Sequence, residues 1–148
     1  MADDLAAANV NRSYQLAASC IAIFTFMLFF LYPRLASGDV DALPFQATLI
    51  VMGVATFSFA FASLYYYGAS LGGQIDDAER TGYARRGDRV WVHGCVLLFL
   101  APSLILFTVR LLAVASAWFA LWLLFLLFVI RNFSRFQTTR NGGATGTD

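Results

Sequence analysis

The chain has 148 residues, 59% of them hydrophobic and 13% charged, with a formal net charge of +1 and a mean hydropathy of +0.68. A soluble domain carries about 45–50% apolar and about 25% charged residues, so lipid rather than water is the solvent for much of this chain. The near-neutral charge argues against a nucleic-acid partner, and Cys20 and Cys95, without a CxxC pair, provide no disulfide framework.

Residues 1–13 form a polar N-terminal segment with Asp3, Asp4 and Arg12. The run 14–32 is apolar for about the length a bilayer core requires, and is too long for the apolar core of a signal peptide. Pro33 stops it, and the connection to Pro44 carries Arg34, Asp39 and Asp41. A second span covers 45–71. Its small residues, among them Gly53, Ala55, Ala60 and Ala62, suit close helix packing in lipid. Tyr65, Tyr66 and Tyr67 near its end suit a headgroup belt.

The run 72–89, GGQIDDAERTGYARRGDR, is the one long hydrophilic stretch between the apolar segments and reads as a loop. Asp76 and Arg80 have the i,i+4 spacing of a short helical turn. Residues 90–130 are almost continuously apolar. As one helix they would extend about 60 Å, twice the hydrocarbon thickness. They must fold back, and Val109-Arg110-Leu111 is the place, giving spans over 90–109 and 111–130. Pro102 should kink the third span. The second half of the fourth, LWLLFLLFVI, should face lipid. A partly disordered tail follows over 132–148.

The expected architecture is therefore all-α: an integral membrane bundle of four transmembrane helices within residues 14–131. Arginine counting orients it. Arg12, Arg80, Arg85, Arg86, Arg89, Arg131, Arg135 and Arg140 fall on one side, and Arg34 and Arg110 on the other. That bias puts both termini and the 72–89 loop in the cytoplasm of a multi-pass plasma (inner) membrane protein.

Most chemical motifs are absent. No acidic or basic residue lies inside a span as drawn, and there is no HExxH, Walker A loop, GxSxG or GxGxxG. The reading is non-enzymatic, with no catalytic residue, metal or cofactor. Cys20 and Cys95 should lie at similar depth on the first and third spans. An inner polar cluster of His93, Cys20, Tyr65, Tyr66 and Tyr67 is thus one candidate site. Cys95 is two residues from His93 and points away from it on a helix. Arg34 and Arg110 form an outer rim, and Arg85, Arg86, Arg89 and Arg131 a cytoplasmic rim. Trp118 and Trp122, four apart, share a face that suits packing or an apolar lipid groove.

These features lead to a homo-oligomeric channel or transport protein, or a subunit of one, passing anions or neutral solutes between protomers. The alternative is an accessory or scaffold subunit packed against a larger membrane complex. A membrane-embedded enzyme or cofactor-binding protein is third. The bilayer is the common partner.

Overall fold

The computed structural model describes residues 2–71 and 75–141, with side chains for 7–71 and 75–132. The described chain is helical: α1 (Ala2–Phe26), a π-helical turn (Met27–Leu31), α2 (Tyr32–Ser37), α3 (Ala42–Ser70), α4 (Asp77–Thr108) and α5 (Leu112–Asn141). Four stretches are long and apolar enough to cross a membrane: Ala7–Ser37, Ala42–Ser70, Asp77–Thr108 and Leu112–Asn132.

Several boundaries differ from the hydropathy reading. Pro33 does not stop the first span: the chain stays helical through it to Ser37, with Pro33 in the first turn of α2, where its missing N–H is tolerated, and α3 begins at Ala42, ahead of Pro44. Helix α4 starts at Asp77, so most of the hydrophilic run is helix rather than loop. Asp76 holds extended backbone at the N-cap, and Asp77 and Glu79 occupy the first turn, where negative charge meets the positive end of the helix dipole. Hydropathy detects the lipid boundary and not the helix boundary, and Glu, Arg and Ala propagate a helix well in water. Helix α5 likewise runs on to Asn141. Residues 72–74 of the connection and 142–148 of the tail lie outside the described residues.

The turn between α4 and α5 falls at Val109, Arg110 and Leu111. The Arg110 amide donates to Phe107 O (3.0 Å) and the Leu111 amide to Leu106 O (3.0 Å). This paired closure normally places glycine at its left-handed position, yet Arg110 sits there with φ 61°. The end of α2 closes in the same way, with Gly38 at φ 79°. Its Gly38 and Asp39 amides donate to Leu35 O and Arg34 O, each at 3.2 Å.

Helix α3 lies between α1 and α4, while α5 packs chiefly on α4. The buried stripe of α3 runs Phe45, Thr48, Met52, Ala55, Phe59, Ala62, Ser63, Tyr66 and Ala69, the three- and four-residue steps of one helix face. Met52, Ala55 and Phe59 join Ala17, Cys20, Cys95 and Ala101 in one core cluster. Met27, Leu31, Val40 and Phe45 fill a second cluster toward the Gly38 end. Buried hydroxyls are satisfied by their own helices: Thr48 donates to Pro44 O (2.7 Å) and Ser63 to Ala60 O (2.7 Å). Among the described residues, no buried side-chain polar atom lacks a partner.

Close approach of α3 and α4 is made by glycines of α4. A Cβ on Gly94 would stand 2.9 Å from the Phe59 ring, and one on Gly87 3.0 Å from the Tyr66 ring. Gly53, which the sequence offers as a seam residue of α3, has nothing within 4 Å of where its Cβ would be. At Gly87 and Gly94 the seam therefore sets small residues of α4 against large rings of α3, and at Gly68 the order reverses, with Tyr83 of α4 against a glycine of α3.

In the first span, the Tyr32 amide reaches five residues back to Met27 O, which defines the π-helical turn. Pro33 has no N–H to give, so the regular ladder is already broken at the next position.

Candidate functional site

Polar chemistry collects where α1, α3 and α4 meet at the arginine-rich end. The last turns of α3 run antiparallel to the first half of α4, and paired contacts fix their register. Arg80 Nε donates to Ala69 O (2.9 Å), bringing a cation to the carbonyl end of α3. The Tyr65 and Tyr83 rings lie 6.4 Å apart in a tilted pair. Gly87 then admits the Tyr66 ring. Tyr66 Oη donates to Asp88 Oδ1 at 2.8 Å. Tyr66 itself is buried, at 5% exposure, so the phenol carries its hydrogen bond into the protein rather than into water.

Asn9, Arg12, Tyr66, Asp88 and Trp91 line a cavity of about 240 Å³ beside this bond. Asn9 and Trp91 are half-buried, and Arg12 and Asp88 are exposed. The lining offers a carboxylate, a guanidinium, a phenol hydroxyl, an amide and an indole. Such a set can recognise a small polar group bearing both charges. Among the described residues no three His, Cys, Asp or Glu side chains come together to hold a metal ion.

The five residues of the expected inner cluster are divided between several places. Cys20 is buried in the α1–α3–α4 core with Cys95. Tyr66 lies in the polar site. Tyr65 is half-buried against Tyr83, and Tyr67 is 58% exposed on the outside of α3. His93 is exposed and its Nδ1 lies 2.7 Å from Arg89 O on its own helix. With Nδ1 as the donor, that contact occupies the ring locally and turns it away from Cys95, which faces the core.

The rim residues also separate. Arg34, Arg85, Arg86 and Arg89 are exposed. Arg131 is exposed and engaged in a contact. Arg110 is engaged as well: its Nη2 and Nε donate to Asp41 Oδ1 at 2.8 and 3.2 Å. The Asp41 amide in turn donates to Thr108 O (3.2 Å), so the two hairpins are clasped at the Gly38 end. Hydrogen bonding from Arg110 lowers the Asp41 pKa below its usual value, and the same bond raises that of Arg110. Both side chains remain about half exposed, so water screens the pair.

Trp118 is 44% exposed. Trp122 instead reaches inward, its Nε1 donating to Val96 O of α4 at 2.9 Å. Its ring stacks on Phe119 at 5.4 Å, and Phe99 of α4 meets Phe125 of α5 at 4.9 Å. The Trp122–Val96 hydrogen bond and the Phe99–Phe125 pair bind α5 to α4, while the Phe119–Trp122 stack lies within α5.

Asn9, Asp88 and Trp91 were not singled out by sequence reasoning. Asp88 was hidden by its place in a run that hydropathy reads as loop. Its i,i+3 spacing to Trp91 was the available signal, and it needed α4 to begin before residue 88.

The chain matches no family model, no curated protein and no solved structure.

Proposed function

We propose that this chain is a plasma (inner) membrane protein that crosses the bilayer four times, with both termini and the α3–α4 connection in the cytoplasm. We read it as a non-enzymatic association subunit, packing as an accessory or scaffold element against a larger membrane assembly. The observation that carries this reading is the contrast between a filled centre and an open flank. Met27, Phe45, Met52 and Phe59 are fully buried between the helices, Met52 and Phe59 in one core cluster and Met27 and Phe45 in the other. Helix α5 meanwhile presents Leu121, Leu124, Leu127, Phe128 and Ile130 at 58–67% exposure. A bundle filled in this way supports packing functions better than a conduit within one protomer. Lipid is the partner that covers apolar surface by default, and a membrane protein is the partner that would compete with it.

A second reading keeps the homo-oligomeric channel or transport protein, with its path between protomers and anions or neutral solutes as cargo. The exposed Arg34, Arg85, Arg86 and Arg89 favour it, since rim cations raise local anion concentration. Arg110 supports it less, because Asp41 offsets its charge.

Reporters fused after Arg140 or inserted in the 72–89 connection are expected to signal cytoplasm, and one near Gly38 the outside. The reverse pattern removes the orientation. Function is tested by subunit counting in nanodiscs together with flux in liposomes. A monomer without flux is the expected result. A closed homo-oligomer that passes chloride or a neutral solute transfers the assignment to the second reading.

A further inference from the structure

We infer that the cavity between α1, α3 and α4 at the arginine-rich end binds a phosphoethanolamine group, as the headgroup of a zwitterionic phospholipid or as a soluble ester. Its lining, Asn9, Arg12, Tyr66, Asp88 and Trp91, holds one cationic and one anionic side chain. They come from different walls, Arg12 from α1 and Asp88 from α4. A simple anion entering beside Arg12 would meet the Asp88 carboxylate. A simple cation beside Asp88 would meet Arg12. A ligand carrying both charges a short distance apart satisfies both walls without a net charge to oppose.

The polarity of each wall sets the orientation. Asp88 Oδ1 accepts the Tyr66 hydroxyl (2.8 Å), and no described residue donates to its other oxygen. That oxygen suits an N–H donor, which a primary ammonium has and a quaternary one lacks. Trp91 and Tyr66 add aromatic surface, which attracts an ammonium through the ring face. On the other wall the Arg12 guanidinium has no hydrogen-bond or ion-pair partner among the described residues. Its planar fork, with the Asn9 amide, is the donor set a phosphate needs. Size agrees: pockets for drug-sized ligands run to about 300–1,000 Å³, and this one is about 240 Å³. Depth agrees too. Tyr66 lies in the last turns of α3, where a membrane-spanning helix meets headgroups. The lipid source rests on the membrane reading above; the soluble source does not.

The test uses the full chain, purified and analysed by native mass spectrometry. Phosphatidylethanolamine, phosphatidylcholine and phosphatidylglycerol with identical acyl chains are added in turn, and soluble phosphoethanolamine separately. Phosphatidylethanolamine should be retained roughly tenfold better than phosphatidylglycerol, the size of one charge-assisted contact. Asp88→Asn and Arg12→Gln should each abolish that preference. Arg86→Gln, in a separate hollow with Glu79 and Tyr83, should leave it intact. Asn at this position keeps a side-chain oxygen that can accept the Tyr66 hydroxyl, so loss of the preference in Asp88→Asn reports the lost charge, and an unchanged thermal midpoint of that variant controls for folding. Retention of phosphatidylethanolamine alone assigns a lipid site. Retention of soluble phosphoethanolamine alone assigns a soluble ligand, and that arm stands even if the chain fails to cross a bilayer. Equal retention of all three lipids with no binding of the soluble ester, or a preference that survives Asp88→Asn, overturns the inference.

Discussion

Helices α3 and α5 are nearly equal in length, 29 and 30 residues, and both are apolar enough to cross a bilayer. Their surroundings are opposite. Of the most apolar stretch of α3, 33% is buried inside the protein, against 6% for α5. Helix α5 is nevertheless the more hydropathic of the two. Its buried residue among those described is Ala115, whereas α3 buries Thr48, Ala55, Ala62, Ser63 and Ala69 as well as its large side chains. Apolar content therefore does not locate the core of this protein. Where lipid is the solvent, there is no gain in moving a leucine from tail to core, and packing is decided by shape, small residues and hydrogen bonds.

The contrast breaks most visibly at the α3–α4 seam. Gly94→Leu drives a side chain into the Phe59 ring, whose Cε1 stands 2.9 Å from the Cβ position. A loss of about 1–3 kcal/mol in unfolding from bicelles is expected, the cost of overpacking a filled site. Gly53→Leu makes the matching change where the Cβ meets open space. It should alter stability by no more than about 0.5 kcal/mol. If it proves as damaging as Gly94→Leu, a second chain sits on that face of α3 and the contrast needs a partner to describe it.

The attachment of α5 is the next test. Trp122→Phe removes the indole donor to Val96 O while keeping the ring against Phe119. Interhelical hydrogen bonds in membranes average about 0.6 kcal/mol and reach about 1.7. The loss should therefore be of that size, with faster amide exchange confined to α5. Exchange that quickens equally in α1 and α3 would show that α5 is part of the same cooperative unit.

The smallest effects belong to the clasp. Arg110→Gly and Arg110→Ala both remove the ion pair with Asp41, but only glycine relaxes at φ 61°. The glycine variant should be the more stable of the two, seen as the higher thermal midpoint. Acid should open the clasp by the same logic. Arg110 holds the Asp41 carboxyl below its usual pKa, so the contribution is complete above the ordinary carboxylate range. It is lost as pH falls through the lowered value. Exchange of the Asp41 amide, bonded to Thr108 O, reports it. Protection that persists unchanged at acid pH would mean that the backbone alone closes this end.

The four membrane-length apolar stretches and the break at 109–111 were legible in the sequence because both follow from lengths: a hydrocarbon slab limits how far an apolar run can extend. The faces were not. A helix that is apolar all round gives no periodic signal for its inward side. So Gly53 and Gly94 look equivalent as letters, and only the position of Phe59 separates them. The candidate site was half legible. Tyr66 stood out as one of three tyrosines, but its partner Asp88 belongs to a helix whose start is polar. Arg110 was placed at its turn, while the Asp41 carboxylate 69 residues earlier in the chain gave no local cue.

The π-helical turn at Met27–Leu31 is one residue longer than the α-helical path between the same ends. That gives the first span a spare residue. Phe29 and Phe30 lie on the outside of this turn, at 73% and 61% exposure, while Met27 and Leu31 anchor it to the core. Deleting Phe29 would let the segment re-form as an ordinary helix without rotating what lies on either side. The same deletion in α3, which has no such slack, would turn every following side chain by about 100° about the helix axis. Related chains that differ in length by one residue would be expected to differ here.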